Sequence, residues 1–424
     1  MKWRFLKYTA GFTIPAVVAL SFLAEGAWTW IAIAYGFGAL PALELILPSS
    51  KRNLSEAELE VVKEDRTYDI LLWSMVLIQY ALLAWFLMDL AGGAREMWSL
   101  EWWGFVLAMG FSCSILGINV AHELGHRPER HNQLLSQALL TTSLYTHFFI
   151  EHNQGHHRNV ATKEDPGTAR RNEWLQVFWF RAVFVAWWSA WEIEAKNMRR
   201  QGLSPWHPSN AFLRLQALQW GLLAAVWVGL GWQVGVAWLI AGLFGGFLLE
   251  VVNYVEHYGL ERNKVNEHRY ERVMPHHSWN SDHPLGRLML FELTRHSDHH
   301  HQPAKPYQTL DSIQEAPQLP TGYPGMMLLS LIPPLYFAVM NPKVDAVGVC
   351  GGECESDLDA NGMCDAEEGC MYSMALNYDD EATMDNGSCE FANVSDCPAD
   401  IDGSGHINVN DLLVFLPQYG NYCE

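Results

Sequence analysis

The sequence predicts an all-α integral membrane protein of six spans, capped at one face by histidines and followed by a small acidic, cysteine-rich module. Three observations carry this. Half of the 424 residues are hydrophobic, and they gather in runs of roughly twenty, enough to cross a hydrocarbon layer about 30 Å thick at about 1.5 Å per helical residue. Lys and Arg fall almost wholly on one side of those runs. Near residue 345 the composition then changes abruptly.

The apolar runs cover residues 8–24, 27–47, 69–90, 102–121, 211–231 and 232–252. Only Glu25 and Gly26 separate the first two, and the fifth and sixth abut, so each pair is a tight hairpin and both turns share one side of the membrane. Lys2, Arg4 and Lys7 precede the first span, and Lys51, Arg52, Lys63 and Arg66 lie between the second and third. Basic residues accumulate in the cytoplasm, which leaves Arg95 as the only base in an outer loop. The basic start resembles a signal peptide, but a second span follows at once and favours an anchor. Residues 178–191, rich in Trp and Phe but carrying Arg181, read as an amphipathic helix in the interface. Gly36, Gly38, Gly242, Gly245 and Gly246 predict close helix approach.

The net charge of −20 belongs to the tail. Residues 345–424 hold 18 acids and no base, whereas residues 1–344 hold 29 acids and 27 bases, so the chain divides into two domains at this boundary. Such a balance excludes nucleic acid as a partner. Seven of the eight cysteines lie in the tail, an odd number that leaves one unpaired, and Cys113 sits alone in a span. Asp400, Asp402, Ser404, Asn408 and Asp411, with Gly405 at the sixth position, follow the oxygen-ligand spacing of a dockerin-like calcium loop, although the last ligand is Asp instead of Glu. Cysteine-rich calcium modules belong in oxidising compartments, while the span count puts residue 345 in the cytoplasm. A calcium-loaded module and a solvated acidic segment both fit, and the side of the membrane stays open.

Nine of the 18 histidines fall into four clusters. These are His122-Glu-Leu-Gly-His126 after the fourth span, Glu151-His152-Asn-Gln-Gly-His156-His157, a single His257 after the sixth span, and Arg295-His296-Ser-Asp-His299-His300. Imidazoles four apart on a helix project from one face, which predicts that His122 with His126, His152 with His156, and His296 with His299 or His300 each address one ion. Neutral imidazole suits iron, copper, nickel and zinc, and nine exceed the four to six ligands of one ion but suit two. Glu123, Glu151, Glu256 and Asp298 stand beside these histidines, where carboxylates orient ligating rings. They read equally well as ordinary solvated or paired acids. Arg127, Arg130 and Arg158 read as positive-inside residues or as a docking face for an acidic electron carrier. The first cluster alone matches the zinc-protease pattern H-E-x-x-H, with Glu123 as base, but that reading leaves the other clusters without a role.

With these motifs, residues 1–344 resemble the alkane 1-monooxygenases, relatives of the membrane fatty acid desaturases. The resemblance rests on HELGH at 122–126, EHNQGHH at 151–157, NYVEHYGL at 253–260 and RHSDHH at 295–300, with the Glu164-Asp165-Pro166 turn and residues 320–342. It implies a non-haem di-iron centre in a cytoplasmic cap, held by His122, His126, His152, His156, His157, His257, His296, His299 and His300. It implies O₂-dependent hydroxylation of medium- to long-chain alkanes at the terminal carbon, at the bacterial inner membrane. Electrons would come from rubredoxin and an NAD(P)H-dependent rubredoxin reductase. Both are separate proteins, because the chain has no dinucleotide fingerprint and Cys350-Gly-Gly-Glu-Cys354 is not a rubredoxin C-x-x-C pair. Lipid desaturation or hydroxylation by the same kind of centre is the nearest alternative chemistry. A narrow blind apolar tunnel aimed at the metals is expected, since an alkane has no group to hydrogen-bond.

Overall fold

The computed structural model describes residues 4–266, 269–347, 368–369 and 384–385. The chain divides into two compact units, Met1–Val347 and Gly348–Glu424. In the second, the described residues form two short strands, Glu368–Gly369 and Met384–Asp385, paired parallel. The expected calcium ligands Asp400, Asp402, Ser404, Asn408 and Asp411, and the tail cysteines, lie outside the described residues.

Among the described residues six helices are long and apolar enough to cross a membrane: Arg4–Leu23, Gly26–Glu44, Thr67–Ala91, Leu100–Gly125, Ala211–Gly229 and Trp232–His257. They match the six apolar runs, but the fourth and sixth continue past the end of the hydrophobic signal. Hydropathy falls where His122, Glu123, Glu256 and His257 begin, whereas the helical backbone persists because those polar side chains are buried among polar neighbours. These two spans are also innermost, with 78% and 61% of their apolar windows buried against 22–44% for the other four. The pair that carries histidines is therefore the pair held most firmly.

The tight turns need backbone that L side chains rarely adopt, and glycine supplies it: φ is +56° at Gly26 and +107° at Gly231. Beside the first turn, Arg95 pairs with Asp89 and Glu101 and donates to the carbonyls of Phe22 and Ala24. The base expected alone in an outer loop is thus neutralised, and it ties the first hairpin to the third–fourth connection. Of the glycines expected at close approaches, Gly245 shows the effect most directly, since a Cβ there would come within 2.8 Å of Cys113 Cβ. Gly36, Gly242 and Gly246 are similarly crowded, but Gly38 meets nothing within 4 Å and plays no such part.

The helix read as residues 178–191 extends over Leu175–Arg200. Ala182, Ala186 and Ala190 form its buried stripe, while Phe180, Phe184 and Trp188 are exposed. Small residues inward and large apolar residues outward suit a helix lying along lipid.

Candidate metal centre

Four stretches of chain deliver nine imidazoles to the end of the bundle opposite the tight turns. They form two groups, His122, His126, His152, His157 and His299, and His156, His257, His296 and His300. In each group one ring nitrogen per residue lies within 4.8 Å of all the others. Nε2 of His126 stands 3.1 Å from Nε2 of both His152 and His157, which are 3.0 Å apart, and His299 is 3.2 Å from His157. In the second group His257 and His296 are 3.1 Å apart and His156 and His300 3.2 Å.

Two imidazoles at right angles on one ion, each about 2.1 Å from it, place their nitrogens about 3 Å apart. These are therefore the spacings of ligands around a shared centre. Burial pushes His126 down to about 3, and burial together with neighbouring imidazoles holds His152, His157, His296, His299 and His300 well below the usual histidine range. The rings are thus neutral and offer lone pairs. Buried Nε2 of His122 has no hydrogen-bond partner. Converging nitrogens of this kind, most of them unprotonated, fit a cation in each group.

The assortment differs from the four-residue rule in one instructive place. His122 with His126, and His296 with His300, do share a group at a spacing of four. His152 does not pair with His156; it groups with His157, and His156 goes to the other group. The cause is a turn of π-helix over His152–His156, in which His157 N–H bonds to the His152 carbonyl five residues back. A wider turn brings residues five apart onto one face, and such turns are frequent at functional sites. His299 likewise separates from His296 and joins the first group.

The carboxylates expected beside the ligands behave individually. Glu256 lies 3.2 Å from His296 Nε2 and accepts a hydrogen bond from Tyr323 at 2.8 Å. Glu151 is buried, and burial with the nearby Asp165 charge pushes it up to about 8. The partners of Glu123 are Arg127 and the Tyr307 amide, and those of Asp298 are Lys305 and the Asp311 amide. Both brace the loop that follows the fourth cluster. Arg127 is correspondingly withdrawn from the surface, held by Glu123 and Asp69.

The closest support for a ligand comes from a residue whose role no sequence pattern marks. Asp165, in the Glu164-Asp165-Pro166 turn, accepts from His156 Nδ1 at 3.0 and 3.1 Å. It also accepts from Thr168 Oγ1 at 2.6 Å and Gly167 N at 3.1 Å. Burial alone would lower His156, but the Asp165 carboxylate outweighs it and raises the ring to about 9. The ring is thus protonated at neutral pH, with Nδ1–H donating to Asp165, and a cation held at Nε2, which faces His300, would displace the second proton. His147 is buried in neither group, and His301 is exposed.

A largely apolar cavity reaches both groups. His122, His152 and His296 line one part of it, and Gly36, Phe37 and Phe111 line another. Phe111 precedes His122 by eleven residues on the fourth span, roughly 16 Å along a helix. The cavity therefore runs from the imidazoles into the membrane-spanning part of the bundle. Its lining comes from seven separate stretches, which no local pattern in the sequence could assemble.

Five imidazoles around the first centre also count against the zinc-protease reading, whose catalytic ion keeps three protein ligands and an open position. Glu123, the base in that reading, is instead engaged by Arg127 and Tyr307.

The family model "Fatty acid desaturase" matches residues 96–330. The chain is 39% identical to an alkane 1-monooxygenase of Ectopseudomonas oleovorans over 320 residues, 75% of this chain and 78% of that protein. It is 37% identical to alkane 1-monooxygenase 1 of Alcanivorax borkumensis over 323 residues, 75% and 78% of the two. The hydroxylase component of a xylene/toluene monooxygenase of Pseudomonas putida is 30% identical over 360 residues, 82% of this chain and 93% of that protein.

Proposed function

This chain belongs to the fatty acid desaturase family and, within it, to the alkane 1-monooxygenases, and from that premise we propose that it hydroxylates the terminal carbon of medium- to long-chain alkanes at a di-iron centre. The observation that carries the reading is the cavity, predominantly apolar and ending on imidazoles of both groups. Two irons held by the nine histidines would supply O₂ activation, with one oxygen atom going to the substrate.

The remaining work falls to the chain itself. The cavity wall binds by apolar burial, at about 0.8 kcal/mol per CH₂, which favours longer chains until the end is reached. Phe148 stacks on His152 with ring centroids 4.6 Å apart, and it closes the cavity beside that ligand. Asp165 fixes the His156 ring through Nδ1. The buried ion knot of Lys7, Arg287, Arg295 and Glu292 anchors the segment entering the fourth cluster.

The same reading assigns rubredoxin and its reductase as electron donors, and the bacterial inner membrane as location with the histidines on the cytoplasmic face. Support for the orientation is the gathering of Lys and Arg on the side of the histidines. For the tail, the loop pattern of Asp400, Asp402, Ser404, Asn408 and Asp411 supports calcium binding.

The test uses cells expressing the full chain with a rubredoxin and its reductase, fed octane and dodecane. Primary alcohols by gas chromatography, absent with His152→Ala, are expected. Terminal alkenes, or no oxidised product from protein that contains zinc, would overturn the proposal.

A further inference from the structure

The alkane cavity contains a carboxylate that an alkane cannot use and whose bonds are only half made. Glu44, the last residue of the second span, lines it and is 2% exposed. Its Oε1 accepts from the Gly286 amide at 2.7 Å, while its buried Oε2 has no hydrogen-bond partner. The surrounding chain is shaped for this carboxylate. A Cβ on Gly322 would overlap it, and one on Gly286 would stand 3.1 Å from Oε1. A carboxyl group in an apolar cavity with an unmade bond costs stability, and the two glycines that admit it only deepen the question of what Oε2 receives.

The geometry points to a product subsite: Glu44 Oε2 accepts the hydroxyl of the primary alcohol after it leaves the imidazole end of the same cavity. This rests on the reading of the chain as an alkane hydroxylase. The substrate and its product differ in this cavity by a single O–H, and that donor is what Oε2 lacks. Glu44 and the histidine-bearing ends of the fourth and sixth spans lie at the same end of the bundle, opposite the tight turns. Moving the hydroxyl to Glu44 therefore draws the oxidised end sideways, off the metal ligands and toward the membrane boundary, without dragging it through the apolar depth. Glu44 is a positioning residue for product departure. It leaves alkane capture to the apolar wall, and sites that hydrogen-bond a hydroxyl reject the analogue lacking it.

The experiment measures retention of radiolabelled dodecan-1-ol, dodecane and 1-methoxydodecane by the full-length protein in nanodiscs, with empty nanodiscs subtracted. Wild type is expected to hold the alcohol about tenfold more tightly than the methyl ether, the worth of one hydrogen bond to a charged acceptor. Glu44→Leu should bring the alcohol-to-dodecane ratio down by a similar factor, and Glu44→Gln, which keeps an acceptor of the same shape, should restore part of it. Equal retention of alcohol and ether by wild type overturns the subsite without any variant, as does an unchanged ratio in Glu44→Leu. Failure of wild type to convert dodecane at all would instead sink the underlying hydroxylase reading, and the retention ratio separates the two.

Discussion

Replacing Asp165 by alanine should empty one metal position and leave the other filled. In the structure the carboxylate takes four hydrogen bonds, two of them from the His156 Nδ1. Alanine leaves that buried N–H, the Thr168 hydroxyl and the Gly167 amide to find other partners, and it frees the ring to rotate. Loss of the partner that orients a ligating histidine typically costs 10- to 100-fold in metal affinity, equivalent to about 1.4–2.7 kcal/mol. The effect should fall on the group of His156, His257, His296 and His300, since none of the first group's rings touches Asp165. Asp165→Asn keeps an acceptor but loses the charge, and should lie between alanine and wild type. The assay is iron per chain by elemental mass spectrometry after equilibration with graded chelator, with helix content checked by circular dichroism. An alanine variant that keeps both irons at the same chelator concentration as wild type, with the fold intact, would refute the positioning role.

Three further outcomes are expected. His126→Ala and His257→Ala should each lower iron to about one per chain, from different groups, whereas a shared loss of both ions would mean that the groups do not bind independently. Phe111→Ala should shift the preferred alkane toward longer chains, each extra buried CH₂ being worth about 0.8 kcal/mol or roughly fourfold in binding; an unchanged chain-length profile by gas chromatography would place the cavity end elsewhere. Glu292 tests the ion knot through pH. Burial would raise its pKa, but Lys7, Arg287 and Arg295 hold it down, from 4.5 to about 2. A depressed carboxylate contributes stability that is present above pH 4.5 and lost as the pH falls toward 2, here about 3 kcal/mol in all. Glu292→Gln should therefore lower the melting temperature at pH 7, since it takes the carboxylate from Lys7 and Arg287 and leaves Arg295 with Asp282 alone, and should flatten its dependence between pH 5 and 3. Parallel curves for wild type and variant would remove Glu292 from the account.

How much of this could be seen beforehand follows from which forces are local. The six spans were legible because burial in lipid is a property of consecutive residues, and the runs of roughly twenty record it directly. The nine histidines were legible as a set because each short segment carries its own cluster. Their division between two centres was not. It depends on a π-turn at His152–His156, whose residues Asn153, Gln154 and Gly155 give no sign that the helix will widen there. The extra residue becomes tolerable only because His156 gains Asp165 and His157 gains His126 and His299. Gly155 shows the same dependence, since a Cβ there would meet Glu151 Oε1 at 2.5 Å. Local helical preference thus yields to partners supplied by distant segments, and the reading by fours fails at the turn where two metal groups must be fed from one stretch of chain. The cavity obeys the same logic in reverse. Ile14, Phe37, Leu248 and Met327 are each unremarkable apolar residues in sequence, and only their convergence makes a substrate path. Glu44 breaks the local rule visibly, as a carboxylate that closes an apolar span with one oxygen unpartnered, and rules broken without local compensation are where function is most economically sought.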